Sequence, residues 1–224
     1  MTPALWQAGG LFDRLSSACR PSWEAYVDHA FVRRLGDGTL SQRSFRHYLG
    51  QDYLFLVHYA RAWALATFKA STLAEMRAAN ASVTAILGTE MGLHVAFCRD
   101  WGLGEAEMEA LPEAGATMAY TRYDLEKGLQ GDLLDLVVAL APCALGYAEI
   151  GERLSNTSDA ANPYRAWIDM YASDDFRAVA RLAADEVDRL WVTRANFGRF
   201  DELAKNFDQA CRLEADFWQM GLDA

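Results

Sequence analysis

Apolar residues recur at three- and four-residue intervals along almost the whole chain, the spacing that gathers them on one face of an α-helix. A short amphipathic segment over 5–19 comes first. Residues 23–35 follow with Trp23, Tyr26, Val27, Ala30 and Phe31 at helical spacing, and Gly36-Asp37-Gly38 supplies the left-handed turn that ends a helix. Ser41, with Thr39 as the alternative, is the N-cap expected for a helix over 42–69. The aromatics of that helix, from Phe45 and Tyr48 to Trp63 and Phe68, lie on every side and predict burial on more than one face. A helix over 72–101 stops at Gly102-Leu103-Gly104, an acidic turn over 105–111 leads to Pro112, and another helix covers 114–131. Residues 132–154 read as one long helix, apolar nearly all round at its middle, where Pro142 is expected to loosen or kink it. A polar loop over 155–162, a helix opened by Pro163 and a helix capped by Ser173-Asp174-Asp175 and running to about Ala195 come next. A last helix covers 200–220. No stretch alternates long enough for a strand, and no internal repeat is visible. The pattern therefore predicts an all-α fold of eight or nine helices, a single domain over 1–224.

Composition narrows the partners. A net charge of −10 with no Lys/Arg run longer than two residues argues against a nucleic-acid or anionic-membrane partner. The longest apolar run, around Pro142, is too short to span a bilayer, and the first residues lack the charged and apolar regions of a signal peptide. Cys19, Cys98, Cys143 and Cys211 are scattered without a CxxC pair, so neither a zinc site nor a disulfide framework is expected. These features lead to the expectation of a soluble cytoplasmic protein.

The metal-like pair is Glu90-x-x-x-His94, but the Glu-x-x-His of helical di-iron sites is missing, and an i,i+4 hydrogen bond accounts better for the two. His29, alone on an aromatic helix, is a weak candidate haem ligand and reads better as a core histidine. Cys143 and Tyr147 share a helix face. Asp52 with Phe55, and Glu214 with Phe217, each put a carboxylate and a ring three residues apart. A buried Asp52 needs a partner, and His47 or His58 would serve as one. With Tyr120 and Tyr171 added, the set suits a flat, nitrogen-containing aromatic ligand: rings stack on its faces, carboxylates and phenols bond its edge, and a thiol acts as nucleophile.

In this order and spacing, LGDGTLSQRSFRHYLGQDYLFLVHYARAWALATFKA, ILGTEMGLHVAFCRDWGL, AYTRY, PCALGYAEIGERL, NPYRAWIDMYASDDF and LEADFWQMG resemble the TenA (thiaminase II) family over nearly the whole chain. The resemblance implies a haem-oxygenase-like helical bundle, a homotetramer, and no metal or organic cofactor. It implies hydrolysis of 4-amino-5-aminomethyl-2-methylpyrimidine to the 5-hydroxymethyl compound and ammonia in thiamin salvage, and in some members cleavage of thiamin itself. By position, Cys143 matches the nucleophile, Glu214 the residue that handles protons at the ring nitrogen, and Asp52 the one that holds the pyrimidine edge. Tyr120, Tyr147 and Tyr171 match the ordering tyrosines and Phe217 a ring-packing residue, while Phe55 stands where some members carry tyrosine. A non-catalytic pyrimidine- or thiamin-binding module, and a metal-dependent oxidase on the same bundle, are the alternatives.

Overall fold

The computed structural model describes residues 4–194 and 198–224, and among these there is no strand. The helices are α1 (Leu11–Ala18), α2 (Arg20–Val27), α3 (Ala30–Gly36), α4 (Gln42–Lys69), α5 (Leu73–Thr84), α6 (Met91–Asp100), α7 (Glu105–Glu109), α8 (Gly115–Gln130), α9 (Leu133–Thr157), α10 (Arg165–Ala172), α11 (Asp174–Arg194) and α12 (Arg199–Leu222). The all-α reading therefore holds, with more and shorter helices than the pattern predicts.

The differences have local causes. The helix expected over 23–35 breaks at Asp28-His29, because the His29 ring caps α3: its Nδ1 accepts from the Phe31 N–H at 3.2 Å. Between α5 and α6 the backbone widens into a π-helical stretch, Ala85–Glu90, inside what the sequence reads as one helix. The acidic turn forms a short helix of its own, α7. Helix α9 runs unbroken through Pro142 and on to Thr157, so the polar loop starts later than expected. The expected end of α11 at Ala195 lies outside the described residues. Helix α4 has the predicted bounds, and the Ser41 hydroxyl accepts from the Ser44 N–H at 3.0 Å as its N-cap.

The chain divides into two compact units, Met1–Leu40 with Val137–Gln219, and Ser41–Leu136 with Met220–Ala224. In the first, the α9 residues Val137, Val138, Leu140, Leu145 and Ile150 form the core. Two glycines let other chain segments lie directly on this helix. A Cβ at Gly146 would stand 2.2 Å from the Tyr26 ring, and one at Gly151 would stand 2.5 Å from the Tyr171 carbonyl carbon. The buried Asn162 amide donates to the Leu35 and Gly36 carbonyls at 2.9 and 2.8 Å, satisfying the open end of α3.

The second unit is built on α4, whose buried Gln51 donates to the Pro112 carbonyl and accepts from the Ala114 N–H and the Thr117 hydroxyl. Its polar groups are thereby paired, as burial requires. Two helical stretches, Leu133–Thr157 and Leu73–Asp100, are long and apolar enough to cross a membrane by length and composition. The first has 78% of its apolar window buried, the mark of a core helix. The second has only 22% buried and leaves Leu73, Met76, Leu87 and Leu93 exposed.

Candidate active site

Within the first unit, α9 carries Cys143 and Tyr147 one turn apart, α10 carries Trp167 and Tyr171, and α12 carries Glu214, Phe217 and Trp218. Tyr147 is the hub of the aromatics. Its ring centroid lies 4.8 Å from that of Tyr171, 5.3 Å from Trp218 and 5.9 Å from Trp167. Trp167 and Tyr171 are 4.5 Å apart, and Phe31 stacks on Trp218 at 5.0 Å. Rings in mutual contact with little room to turn make a rigid wall, and Gly151 seats the Tyr171 backbone against α9. Glu214 is buried on the same helix as Phe217 and Trp218.

Cys143 differs from the other three cysteines in being half-buried. Burial, with help from Asp208, pushes the Cys19 thiol up to about 11, and burial with the charge of Asp52 pushes Cys98 up to about 12. Burial also raises Cys211 well above the ordinary range. The thiolate is the reactive form, so these three are inert packing groups.

Within the second unit, the Phe55 ring lies 4.9 Å from Tyr120 and stacks on Tyr59 at 5.5 Å. Asp52, one turn before Phe55, is 4% exposed, and burial lifts its carboxyl to about 7 against the opposing hydrogen bond from Tyr48. The Tyr48 hydroxyl donates to Asp52 Oδ2 at 3.3 Å, and His94 Nδ1 stands 3.5 Å from the same oxygen. The neighbours expected from sequence, His47 and His58, are not its partners. His58 instead lies 3.0 Å from Glu113, which also holds Arg122.

His94 corrects a second expectation. Its Nε2 bonds the Leu49 carbonyl at 3.0 Å and its Nδ1 faces Asp52, so among the described residues it makes no hydrogen bond to Glu90. Glu90 is half-buried, and burial with the nearby Asp52 charge raises it to about 7. Sequence reasoning did not single out Tyr48, His94, Trp167 or Trp218 as site residues; the aromatic density of α4 pointed toward Tyr48, and Trp218 stands next to Phe217 on the last helix, whereas nothing local marked His94 or Trp167 as such. Among the described residues, no three His, Cys, Asp or Glu side chains gather as a metal would need.

Residues 16–224 match the profile of the TENA/THI-4/PQQC family. The chain belongs to that family. It is 41% identical over 215 residues to an uncharacterised protein of Haemophilus influenzae, covering 95% of this chain and 99% of the relative. It is 38% identical over 208 residues to the aminopyrimidine aminohydrolase of Halalkalibacterium halodurans, covering 92% of each. Its backbone is similar to the crystal structure of a protein described as a TenA family transcription regulator from a Silicibacter species. The TM-score is 0.93 at 42% identity, over 96% of this chain and 98% of that one.

Proposed function

We propose that this protein is an aminopyrimidine aminohydrolase of thiamin salvage, converting 4-amino-5-aminomethyl-2-methylpyrimidine and water to the 5-hydroxymethyl compound and ammonia. The observation that carries the reading is the 38% identity to the Halalkalibacterium aminohydrolase over 92% of both chains. Relatives from Helicobacter pylori and Bacillus subtilis carry the same name at 31% and 29% identity. The inert character of Cys19, Cys98 and Cys211 supports Cys143 as the nucleophile by leaving it the one thiol that is not fully buried.

In this reading the Cys143 thiolate adds to the ring carbon beside a pyrimidine nitrogen while Glu214 delivers a proton to that nitrogen. The 4-amino nitrogen then pushes electrons through the ring, ammonia leaves from the 5-methylene, and an exocyclic double bond forms. Water adds to that methylene, Glu214 takes back the proton from the ring nitrogen as the thiolate departs, and aromaticity returns. Asp52 holds the ring edge, Phe55, Tyr120 and Phe217 line it, and Tyr147 and Tyr171 order the thiol side. Thiamin, with its thiazolium as the leaving group, is a second substrate of the same steps. The protein works in the cytoplasm as a homotetramer, an assembly that would cover the apolar Leu73–Asp100 stretch.

The test is ammonia release from the aminomethylpyrimidine by the wild type beside Cys143→Ser, with thiamin in parallel. Release by the wild type and loss by at least a thousandfold in the variant, with pyrimidine binding kept, is the expected result; a loss of about that size corresponds to ~4 kcal/mol of barrier. Wild-type rates from the variant would overturn the nucleophile. Binding without turnover by the wild type would make the protein a carrier instead.

A further inference from the structure

The buried cluster beside Asp52 is unexplained by the reaction as written, and its donors and acceptors admit a definite assignment. His94 is 3% exposed and reaches α4 from α6. Its Nε2 is 3.0 Å from the Leu49 carbonyl oxygen, which only accepts, so the ring proton sits on Nε2. In the neutral ring Nδ1 is then a bare lone pair, and it stands 3.5 Å from Asp52 Oδ2. Two facing lone pairs repel, so one proton must lie between them. The alternative, imidazolium against carboxylate, requires two charges where burial pushes His94 down and Asp52 up. The proton therefore belongs to the carboxyl. Tyr48 donates to Oδ2 as well, so both contacts of the carboxyl among the described residues fall on one oxygen, and Oδ1 makes none.

Resting on the aminopyrimidine reading, we propose that His94 is a positioning residue for Asp52. Tied to the Leu49 carbonyl, its Nδ1 accepts from the protonated Oδ2 and leaves Oδ1 as a carbonyl acceptor for the exocyclic amino group of the pyrimidine. The arrangement turns an aspartate into a neutral amide-like edge whose orientation is fixed by a ring and a phenol. It favours a ligand that offers an N–H at that place, and it spares the site the cost of a second charge beside an uncharged heterocycle. His94 touches no substrate in this scheme and acts only through Asp52.

Two substitutions separate this role from plain structural support. An asparagine puts an amide oxygen where Nδ1 was and loses the Leu49 bond; a glutamine reaches the Nε2 position and keeps the Leu49 bond while losing the acceptor beside Asp52. Binding of the unreactive product, 4-amino-5-hydroxymethyl-2-methylpyrimidine, is followed by tryptophan fluorescence for wild type, His94→Asn, His94→Gln and Asp52→Asn. His94→Gln should weaken binding by about tenfold, the worth of one hydrogen bond, and His94→Asn should recover most of it. The reverse order, with glutamine the better replacement, would overturn the proposal. Histidine 15N spectra of the wild-type protein give a reading that needs no variant to fold: His94 should be the neutral Nε2–H tautomer at about pH 6, below the value of about 7 at which Asp52 ionises. An imidazolium or an Nδ1–H tautomer there would overturn the proposal. Failure of the wild type to bind the pyrimidine, with the tautomer as expected, would overturn the aminopyrimidine reading and the ligand half of this one, leaving the Asp52–His94 pairing supported.

Discussion

Asp52 and Glu90 carry protons in the folded protein at pH values where the unfolded chain has released them, since both are raised to about 7 from ordinary carboxyl values. A native state that binds more protons than the unfolded one loses stability as pH rises. For Asp52 the contribution is fully present below about pH 4, declines as pH climbs through the interval to about 7, and is level above it. The groups near it are Tyr48 on its own helix and His94, Glu90 and Cys98 from the stretch packed against it, and all but Tyr48 would oppose its ionisation or leave it unaided. Asp52→Asn removes the titration, so the stability of wild type minus that of the variant, measured by urea unfolding at pH 4.5 and 7.5, should fall between the two. A difference that grows would mean that the native carboxyl is ionised in this range. That His94 belongs to this cluster was hidden from the sequence: its partners Leu49 and Asp52 lie on another helix more than forty positions away, whereas Glu90 at i−4 was the visible neighbour.

At the scale of helices, what the sequence showed depended on how local the cause was. Helix α4 was legible to the residue because a serine N-cap and a continuous aromatic pattern are both local signals. The break between α2 and α3 was not, because it turns on a histidine ring acting as the cap, which the preferences for N-cap residues do not suggest. The π-helical stretch Ala85–Glu90 was invisible for another reason: over six residues, helical periodicities of different pitch select nearly the same positions. The candidate site residues Cys143, Tyr147 and Tyr171 were legible in type, but the contact between Tyr147 and Tyr171 also depends on Gly151, one turn after Tyr147, and a lone glycine in a helical pattern does not reveal which segment it seats. Gly151 lets the backbone at Tyr171 rest on α9, and neither side of that contact is the flexible end of a side chain. Gly151→Ala should therefore force the helices apart, cost about 1–3 kcal/mol in urea unfolding, and lower turnover by shifting Tyr171. Gly115→Ala is the control, since a Cβ there meets nothing within 4 Å and neither quantity should fall. Equal stability of Gly151→Ala and wild type would show that Tyr171 is not held by this contact.

For the molecule as a whole, the apolar surface is unevenly shared. The chain carries a formal charge of −10, yet the most apolar window of Leu73–Asp100 is only 22% buried, and Leu87 and Leu93 are 58% and 54% exposed. The most apolar window of α9 is 78% buried within this chain, so its hydropathy is explained without a partner; that of α5 and α6, 22% buried, is not. Exposed apolar stretches of this kind attract protein surfaces, and a second copy of the same chain is the occupant that the proposed homotetramer supplies. Like-charged chains approach each other most readily where charge is sparse, and this window has at most two charged residues. A Leu87→Glu, Leu93→Glu double variant would put two carboxylates into that contact from each chain. Sedimentation equilibrium should then show a tetrameric wild type and a smaller species for the variant, with the helical circular-dichroism signal unchanged because neither leucine is part of the core. A variant that sediments as the wild type does would move the interface to other exposed apolar residues, such as Leu129 on α8 or Leu182 and Val192 on α11. A monomeric wild type would remove assembly from the proposed function and leave the apolar face to a partner of another kind.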